Sequence, residues 1–260
     1  MLLATGTTGS VGKHLLGAIA VQSRLEDSLE STTREFLELK PTVIIHLAGV
    51  TSVRLIEENQ DLSFRLNIGG ALRTMEAFAK AGGQRFIFAS TGHVYGKTTP
   101  NRYARESDKP EPHSIYAKHK LLAETKLSQR AQELGIKLVV ARIFSVFGVD
   151  MANHYLASKV FKETRTSVGN TEYSKIENGG DIRDFMEPFE VARRLDLIAK
   201  TKRIDQQIQI LNICTGVPTS VRQKVLIANP NWPEDKINTN FSSLPHLVGS
   251  PELARQILGV

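Results

Sequence analysis

Apolar and amphipathic stretches alternate along the first half of the chain, and this alternation predicts strands and helices that follow one another. Continuous apolar and β-branched runs, typical of strands buried on both faces of a parallel sheet, occupy residues 1–5, 41–49, 86–91 and 137–144. Helical periodicity predicts helices over residues 10–19, 31–39, 61–81 and 114–134. Repeated alternation of this kind favours an α/β fold with a doubly wound parallel sheet covered by helices.

The pattern becomes less regular beyond Gly148. It predicts helices over residues 153–162 and 188–200, a strand over 207–213, a short helix after Thr219 and a last helix near the C-terminus. We therefore expect a sheet domain over residues 1–150. Residues 151–260 are expected to form mainly a small substrate-binding lobe, interwoven with the last strands of the sheet.

Three glycines, Gly6, Gly9 and Gly12, lie in the loop that follows the first predicted strand. A strand–loop–helix junction directs free backbone N–H groups and the positive end of a helix dipole at one place, where an anionic pyrophosphate can bind. Glycine permits positive φ angles and a close approach of the phosphate. An ordinary strand-to-helix turn can also hold three glycines, but the position after an N-terminal strand favours the dinucleotide site of a Rossmann-type sheet.

The stretch after this loop lacks two features that such a sheet needs next. A second strand is not evident, and the acidic residue that should bind the adenosine ribose about 20 residues beyond the glycines cannot be identified. Either the second strand is very short or absent, or a segment near residues 20–30 is missing. The choice between NAD and NADP stays open, because Arg24 suits a 2′-phosphate but is more simply interpreted as an exposed loop residue.

Composition narrows the classes of function. The chain has 260 residues, of which 41% are hydrophobic, and a formal net charge of +6. Its basic residues are interleaved with acids, which favours anionic small-molecule ligands over nucleic acid. The single cysteine, Cys214, cannot form an internal disulfide and is expected to be buried and inert. We find no signal peptide and no membrane-spanning run, so the sequence predicts a soluble, cytoplasmic protein.

Tyr116 and Lys120 lie four residues apart on a predicted helix, which places them on one face. An ammonium group one turn away stabilises a phenolate and lowers the pKa of the tyrosine, which makes it usable in acid/base catalysis. Ser90 and Thr91 end a predicted strand at the sheet edge where ligands bind in open α/β folds. A hydroxyl there can bind the oxygen that the tyrosine protonates or deprotonates.

The glycine loop, the Leu-Ala-Gly at 47–49, the Ser-Thr at 90–91 and the Tyr-x-x-x-Lys at 116–120 occur in this order over nearly the whole chain. In this the sequence resembles the extended short-chain dehydrogenases/reductases, the NAD-dependent epimerase/dehydratase family. The resemblance implies NAD or NADP as cofactor, bound by a Rossmann domain over residues 1–150. It implies that Tyr116 is the general acid/base, that Lys120 lowers its pKa and holds the nicotinamide ribose, and that Thr91 is the catalytic hydroxyl.

The resemblance also implies the remaining site residues. Cofactor contacts are expected from the glycine loop, from the strand end that passes under the cofactor and from the catalytic helix, namely Gly6, Gly9, Ser10, Val11, Gly12, Leu47, Ala48, Gly49, Tyr116 and Lys120. Substrate contacts are expected from Thr91, Ser145, Asn153 and Arg183. Arg183 is suited to the substrate diphosphate because a guanidinium binds phosphate through two parallel hydrogen bonds. Asn67 matches a structural asparagine.

Two departures from the family pattern limit the reaction. Dehydratases of the family carry an Asp-Glu pair after the catalytic threonine, whereas this chain has Gly92 and His93, which disfavours dehydration. A usual substrate amide is replaced by the shorter hydroxyl of Ser145, which leaves the sugar undefined. His93, His113 and His119 lack the spacing and carboxylates of a metal site, so no metal is expected.

These observations predict an NAD(P)-dependent epimerase or keto-sugar reductase that acts on a nucleotide-diphosphate sugar by hydride transfer. The alternative is a dinucleotide-binding sensor or assembly protein of the same fold without catalysis. The intact set of Thr91, Tyr116 and Lys120 favours the enzyme. The resemblance further implies a homodimer through the helices that contain Asn67 and Tyr116.

Overall fold

A six-stranded parallel sheet forms the centre of the computed structural model, which describes residues 1–149, 151–152, 155–165 and 173–260. The strand order is β2-β1-β3-β4-β5-β8. The strands are β1 (Leu2–Thr5), β2 (Ile19–Ala20), β3 (Val43–His46), β4 (Arg85–Thr91), β5 (Lys137–Ile143), β6 (Ser145–Val146), β7 (Ile182–Met186), β8 (Ile208–Ile213), β9 (Pro218–Ser220) and β10 (His246–Leu247). The predicted α/β fold with a doubly wound parallel sheet is therefore confirmed.

Helices cover both faces of this sheet. They are α1 (Leu29–Leu39), α2 (Val53–Glu58), α3 (Gln60–Phe64), α4 (Ala71–Lys80), α5 (Ile115–Leu134), α6 (Leu156–Arg165), α7 (Pro188–Lys200), α8 (Val221–Ala228) and α9 (Glu252–Leu258). On one face, α1, α4 and α5 bury Phe36, Phe78 and Leu127 against the sheet. On the other face, α7 buries Leu195 and Ile198. Each such side chain contributes roughly 1.5–3 kcal/mol when it leaves water.

The predicted first helix over residues 10–19 is wrong. The structure forms only a three-residue 3₁₀ turn, Gly12–His14, before the chain enters β2. The physical reason is length, because residues 6–18 must return the chain from the end of β1 to the start of β2. Ile19 already pairs beside Leu3, so only thirteen residues are left for the loop out of β1, any helix and the turn into β2.

The second strand is very short, which was one of the two predicted alternatives. β2 contains Ile19 and Ala20 alone, paired in parallel with Leu3 and Ala4 of β1. It forms the edge of the sheet, and Ile19 is 45% exposed. On the side of β1, where the glycine loop begins, the sheet thus ends in a strand of only two residues.

The long helix predicted over residues 61–81 is interrupted. A π-helical turn, Arg65–Gly70, separates α3 from α4, and Asn67 lies inside it. The side chain of Asn67 accepts a hydrogen bond from the backbone N–H of Val50 at 2.7 Å and donates one to the carbonyl of Val50 at 3.0 Å. Asn67 therefore fixes the loop after β3, a structural role of the kind that its match in the sequence implied.

A smaller sheet, β10-β7-β6 with β9 against β7, belongs to the second half of the chain. Next to it, α6 and α8 bury a separate core around Phe147, Val160 and Trp232. Trp232 is 2% exposed and contacts the ring of Tyr173 edge-on at 5.0 Å, so it packs the lobe. Because β8 and α7 join the large sheet, the domain boundary at residue 150 stays a prediction.

Candidate active site

The glycine loop is shaped by steric contacts that side chains would break. Gly6 has φ +68°, and a Cβ there would lie 2.8 Å from the backbone nitrogen of Ala48. A Cβ on Gly12 would collide with the carbonyl oxygen of Gly6. Within residues 1–20, all of them described, the backbone N–H groups of Ser10 and Val11 donate no hydrogen bond to another described residue. These N–H groups are free to donate hydrogen bonds to an anion, as a phosphate-binding loop requires.

Leu47, Ala48 and Gly49 lie beside this loop, as predicted. The hydroxyl of Thr5 accepts a hydrogen bond from the backbone N–H of Ala48 at 3.1 Å, which fixes the end of β3 against the end of β1. A Cβ on Gly49 would lie 2.7 Å from the Asn67 side-chain oxygen and 3.9 Å from the Nζ atom of Lys120. The structure thus brings Lys120 next to residues 47–49, the segment that lies beside the glycine loop.

Lys120 is buried at this junction. It is 4% exposed, and its Nζ donates a hydrogen bond to the carbonyl of Ala89 at 2.8 Å. The same ammonium lies 4.7 Å from the centre of the Phe88 ring, within the range of a cation–π interaction. Burial lowers the pKa of Lys120 to about 8, although the negative charge of Glu124 one turn further on acts in the opposite direction.

Tyr116 begins the same helix, which Ser114 caps by accepting a hydrogen bond from the N–H of Ala117 at 3.1 Å. The Tyr116 hydroxyl makes no hydrogen bond within the part of the chain that the structure describes, so it is free to bind a ligand. Burial raises its pKa above the ordinary value, and the nearby Tyr155 adds to this effect. The predicted lowering of this pKa by Lys120 is therefore wrong for this arrangement, in which the ammonium donates to the carbonyl of Ala89.

Tyr155 connects the lobe to the sheet beside Tyr116. Its hydroxyl shares a hydrogen bond of 2.6 Å with the hydroxyl of Thr51, which lies in the loop after β3. Tyr155 was not among the predicted site residues. No local spacing relates positions 51 and 155, so only the fold reveals that they meet.

Thr91 ends β4 and is 5% exposed. Its hydroxyl accepts a hydrogen bond from the N–H of His93 at 3.2 Å and caps the short turn Gly92–Tyr95. Next to it, Ser90 donates a hydrogen bond to the buried carboxylate of Glu124. Thr91 therefore lies at the carboxyl end of a central strand, where ligands bind in open parallel sheets.

Glu124 and Arg142 form a buried ion pair beneath this position. Their closest oxygen and nitrogen atoms are 2.7 Å apart, and both side chains are almost fully buried. Glu124 follows Lys120 by one helical turn, so the spacing 116, 120, 124 carried a signal that the sequence analysis missed. The pair holds α5 against β4 and β5, and with them the positions of Lys120 and Thr91.

Arg183 lies on β7, at the lobe side of the site. It binds Asp181 at 2.8 Å and the carbonyl of Ile182 at 2.9 Å. Its positive charge, after the larger effect of burial, lowers the pKa of His93 to about 4 and also lowers that of His246. These two histidines and Arg183 therefore lie near one another, and His93 is neutral at pH 7.

Ser145 and Asn153 are the other two predicted substrate contacts on the lobe side. Ser145 forms β6 and pairs with Phe185 of β7, two residues beyond Arg183. Asn153 lies outside the described residues. Among these residues, no group of three or more His, Cys, Asp or Glu side chains is arranged to hold a metal ion. Cys214 is buried, and burial raises the pKa of its thiol, in agreement with the expected inert role.

The adenosine side of the site is built differently. After β2, the backbone N–H groups of Gln22 and Ser23 donate hydrogen bonds of 2.7 and 2.9 Å to the carboxylate of Glu35. Arg24 follows with an exposed side chain, and its N–H donates to Asp27 at 2.8 Å. The carboxylates of Glu35 and Asp27 thus accept hydrogen bonds from backbone N–H groups and are not directed at a ligand.

A parallel doubly wound sheet with a phosphate-binding loop after its first strand, and a Tyr-x-x-x-Lys helix beside that loop, defines a class of nucleotide-binding α/β enzymes. Residues 2–214 match the model of the NAD dependent epimerase/dehydratase family. The chain therefore belongs to this family, and it is an enzyme of the extended short-chain dehydrogenase/reductase type. Among the helices of the described residues, none combines the length and the apolar composition of a membrane span.

Curated relatives include nucleotide-sugar reductases and epimerases. The chain is 26% identical over 242 residues to the GDP-6-deoxy-D-mannose reductase of Pseudomonas aeruginosa, which covers 86% of this chain and 77% of that protein. It is 28% identical over 188 residues to the UDP-glucose 4-epimerase of Mycolicibacterium smegmatis, covering 72% of this chain and 58% of that protein.

Solved structures show the same fold. RMD from Pseudomonas aeruginosa complexed with NADPH superimposes with a TM-score of 0.84 at 24% identity, over 99% of this chain and 92% of that one. The Thermus thermophilus UDP-glucose 4-epimerase in complex with NAD gives a TM-score of 0.82 at 24% identity, over 98% of this chain and 92% of that one.

Proposed function

We propose that this protein is an NAD(P)-dependent nucleotide-sugar epimerase or keto-sugar reductase in which Tyr116 is the acid/base. The observation that carries the proposal is the position of Lys120. Its buried ammonium lies one helical turn from Tyr116 and close to Gly49, beside the phosphate-binding loop. A buried cation at this junction serves a ligand that carries negative charge and hydroxyl groups, such as the ribose and phosphate of a dinucleotide.

The residues fit the nicotinamide and phosphate parts of NAD or NADP. Free N–H groups at Ser10 and Val11 suit the pyrophosphate, and Lys120 suits the nicotinamide ribose. When bound, the nicotinamide supplies the acceptor or donor of a hydride at a sugar carbon. The chain itself has to move the proton on the oxygen of that carbon.

Tyr116 is the group proposed to move this proton. Its hydroxyl is free of hydrogen bonds among the described residues, and we propose that the hydroxyl of Thr91, at the end of β4, holds the same sugar oxygen. The raised pKa of Tyr116 belongs to the arrangement in which Lys120 donates to the carbonyl of Ala89. Reorientation of the Lys120 ammonium from the Ala89 carbonyl toward the bound ribose and Tyr116 would stabilise the phenolate and make the phenol a usable base.

The substrate is proposed to be a nucleotide-diphosphate sugar, and Arg183 its diphosphate contact. Arg183 is largely buried, and one nitrogen of its guanidinium binds Asp181. Other N–H groups of the guanidinium can donate hydrogen bonds to a phosphate. The relatives named above act on GDP- or UDP-linked sugars by name. Gly92 and His93 stand where a dehydratase would carry its acidic pair, which leaves epimerisation or keto reduction as the proposed reactions.

A panel of nucleotide sugars, incubated with and without NADH or NADPH and analysed by mass spectrometry and NMR, tests this proposal. We expect one sugar to be converted, and Tyr116→Phe to lower its turnover about 10²- to 10⁴-fold while cofactor binding is retained. Tyr103→Phe, in the loop 97–112, is the control and should leave turnover unchanged. Undiminished turnover in Tyr116→Phe would refute the acid/base role, and a panel without any conversion would favour the non-catalytic alternative.

We also propose a homodimer through the helices that contain Asn67 and Tyr116. Leu55 and Phe64, on α2 and α3, are 56% and 46% exposed, and Phe64 contacts His119 of α5 edge-on at 6.0 Å. Apolar side chains of this size at one surface are typical of an interface. Sedimentation at micromolar concentration checks this, and a monomer would contradict it.

A further inference from the structure

The connection between β1 and β2 carries only part of a dinucleotide site. It runs over residues 6–18, all of them described, and its helical content is the three-residue turn Gly12–His14. In dinucleotide folds an α-helix begins at this point, and its dipole supports the pyrophosphate while its packing supports the adenosine side. Here the anion is left to the N–H groups of the loop itself.

The first residues after β2 offer no acidic side chain for the adenosine ribose. The residues that follow the strand are Val21, Gln22 and Ser23, none of them acidic. The nearest carboxylate that reaches them, on Glu35, is engaged by the N–H groups of Gln22 and Ser23 through both of its oxygens. A ribose hydroxyl would have to displace these charge-assisted hydrogen bonds, each stronger than an ordinary neutral one.

The sheet itself gives the adenosine little support. β2 is the edge strand and has two residues, and within residues 1–52 no further strand lies outside it. Within this strand Ile19 is 45% exposed, and Leu16, three residues before it, is 90% exposed. An adenine ring bound in this region would therefore lie at an open edge of the sheet, where it would bury little apolar surface.

The nicotinamide side is complete by contrast. Lys120 is 4% exposed and lies 3.9 Å from the Gly49 Cβ position. Asn67 fixes the next residue, Val50, by two hydrogen bonds. β4, which ends at Thr91, pairs with β5 along its full length. The two ends of a dinucleotide would thus meet very different surroundings.

We infer that this protein holds its cofactor through the nicotinamide riboside and the phosphate next to it, and that the adenosine part adds little affinity. A nicotinamide mononucleotide is then nearly as good a ligand as the full dinucleotide. The inference rests on the proposed function, and it favours the keto-sugar reductase over the epimerase. A reductase must exchange its cofactor in every turnover, whereas an epimerase benefits from retaining it.

The test compares the binding of NADH and of reduced nicotinamide mononucleotide to the full chain, followed through the fluorescence of the reduced nicotinamide. We expect dissociation constants within about tenfold of each other, which corresponds to about 1.4 kcal/mol. We also expect AMP to displace neither ligand at an equal concentration. NADH binding more than about 100-fold tighter than the mononucleotide, or displacement by AMP, would overturn the inference.

Two glycine variants and one arginine variant control the experiment. Gly12→Ala, whose Cβ would collide with Gly6, should weaken both ligands, whereas Gly17→Ala should weaken neither, because no atom lies within 4 Å of its Cβ position. Arg24→Ala should leave the ratio of NADPH to NADH affinity unchanged, and a fivefold or larger loss of NADPH affinity would contradict the inference.

These outcomes separate the inference from the proposed function. Tight and selective NADH binding together with sugar conversion refutes the inference alone. Comparable binding of both ligands without conversion of any sugar refutes the proposed reaction alone. Failure of the wild-type protein to bind either ligand refutes both.

Discussion

The two sides of the glycine loop differ in the length of their strand pairing and in the helices that connect the strands. Toward the middle of the sheet, β4 and β5 form seven successive residue pairs, and α5 packs on them with a buried lysine, Lys120, and a buried ion pair from Glu124 to Arg142 of β5. Toward the edge, β1 and β2 form two pairs, and the connection between them has no α-helix. The difference teaches that the centre of the sheet, where the proposed acid/base site lies, is closely paired and buried, whereas its edge makes far fewer contacts.

Burial follows the same division. Lys120, Glu124 and Arg142 are all under 5% exposed, so their polar groups depend on hydrogen-bond partners inside the protein. Leu16, in the connection before β2, is 90% exposed although it is apolar. Stability should therefore depend strongly on single side chains in the central region and weakly on those near the edge.

The largest effect on stability is expected for Glu124→Ala. The substitution leaves the guanidinium of Arg142 buried without its carboxylate and removes the acceptor of Ser90. Breaking a buried ion pair in this way lowers the free energy of unfolding by about 3–5 kcal/mol. Urea denaturation followed by circular dichroism measures the change.

An exposed ion pair of similar geometry provides the control. Lys200 and Asp196 are 2.6 Å apart, but their side chains are 67% and 30% exposed. Asp196→Ala should therefore change the free energy of unfolding by less than about 1 kcal/mol. Equal effects of the two substitutions would show that burial does not distinguish the central region.

The pH dependence of stability should reveal the buried lysine. In the folded protein the pKa of Lys120 is lowered from 10.5 to about 8, so between these values the unfolded chain binds more protons than the folded one. Stability contributed at this site therefore rises with pH from about 8 to 10.5. Relative to Lys120→Met, the wild-type protein should gain about 1–3 kcal/mol over this range.

Urea denaturation of both proteins at pH 7, 8, 9 and 10 measures this gain. Below pH 8 the charged Lys120 is the less favourable core residue, so the methionine variant should be the more stable one there. Lys126→Met, an exposed position on the same helix, serves as the control and should show a constant difference from wild type. A constant difference for Lys120→Met as well would mean that this lysine is not buried in the charged form.

The sequence predicted the central region well because its signals are local. Four apolar runs gave the central strands within a few residues, and the four-residue spacing of Tyr116 and Lys120 placed both on α5. The ordered motifs then identified the family. Asn67 was assigned a structural role, and its two hydrogen bonds to Val50 agree with that assignment.

The errors concern groups whose surroundings come from distant parts of the chain. Helical periodicity at residues 10–19 cannot report that the chain must reach β2 by Ile19. The spacing of Tyr116 and Lys120 cannot report that the ammonium would turn to Ala89, so the direction of the tyrosine pKa was wrong. The contact of Thr51 with Tyr155 joins positions more than a hundred residues apart, and only tertiary structure brings them together.

The smallest effect is expected at the edge, for Leu16→Ala. This side chain is 90% exposed, so its truncation removes almost no packing and should change the free energy of unfolding by no more than about 0.5 kcal/mol. Its neighbour Leu15 is 7% exposed and packs in the core beneath α7, so Leu15→Ala should cost about 2–5 kcal/mol. Urea denaturation of the two variants gives both values under the same conditions. A cost above about 1 kcal/mol for Leu16→Ala would mean that something in solution covers this leucine, and the edge would then be less open than its exposure indicates.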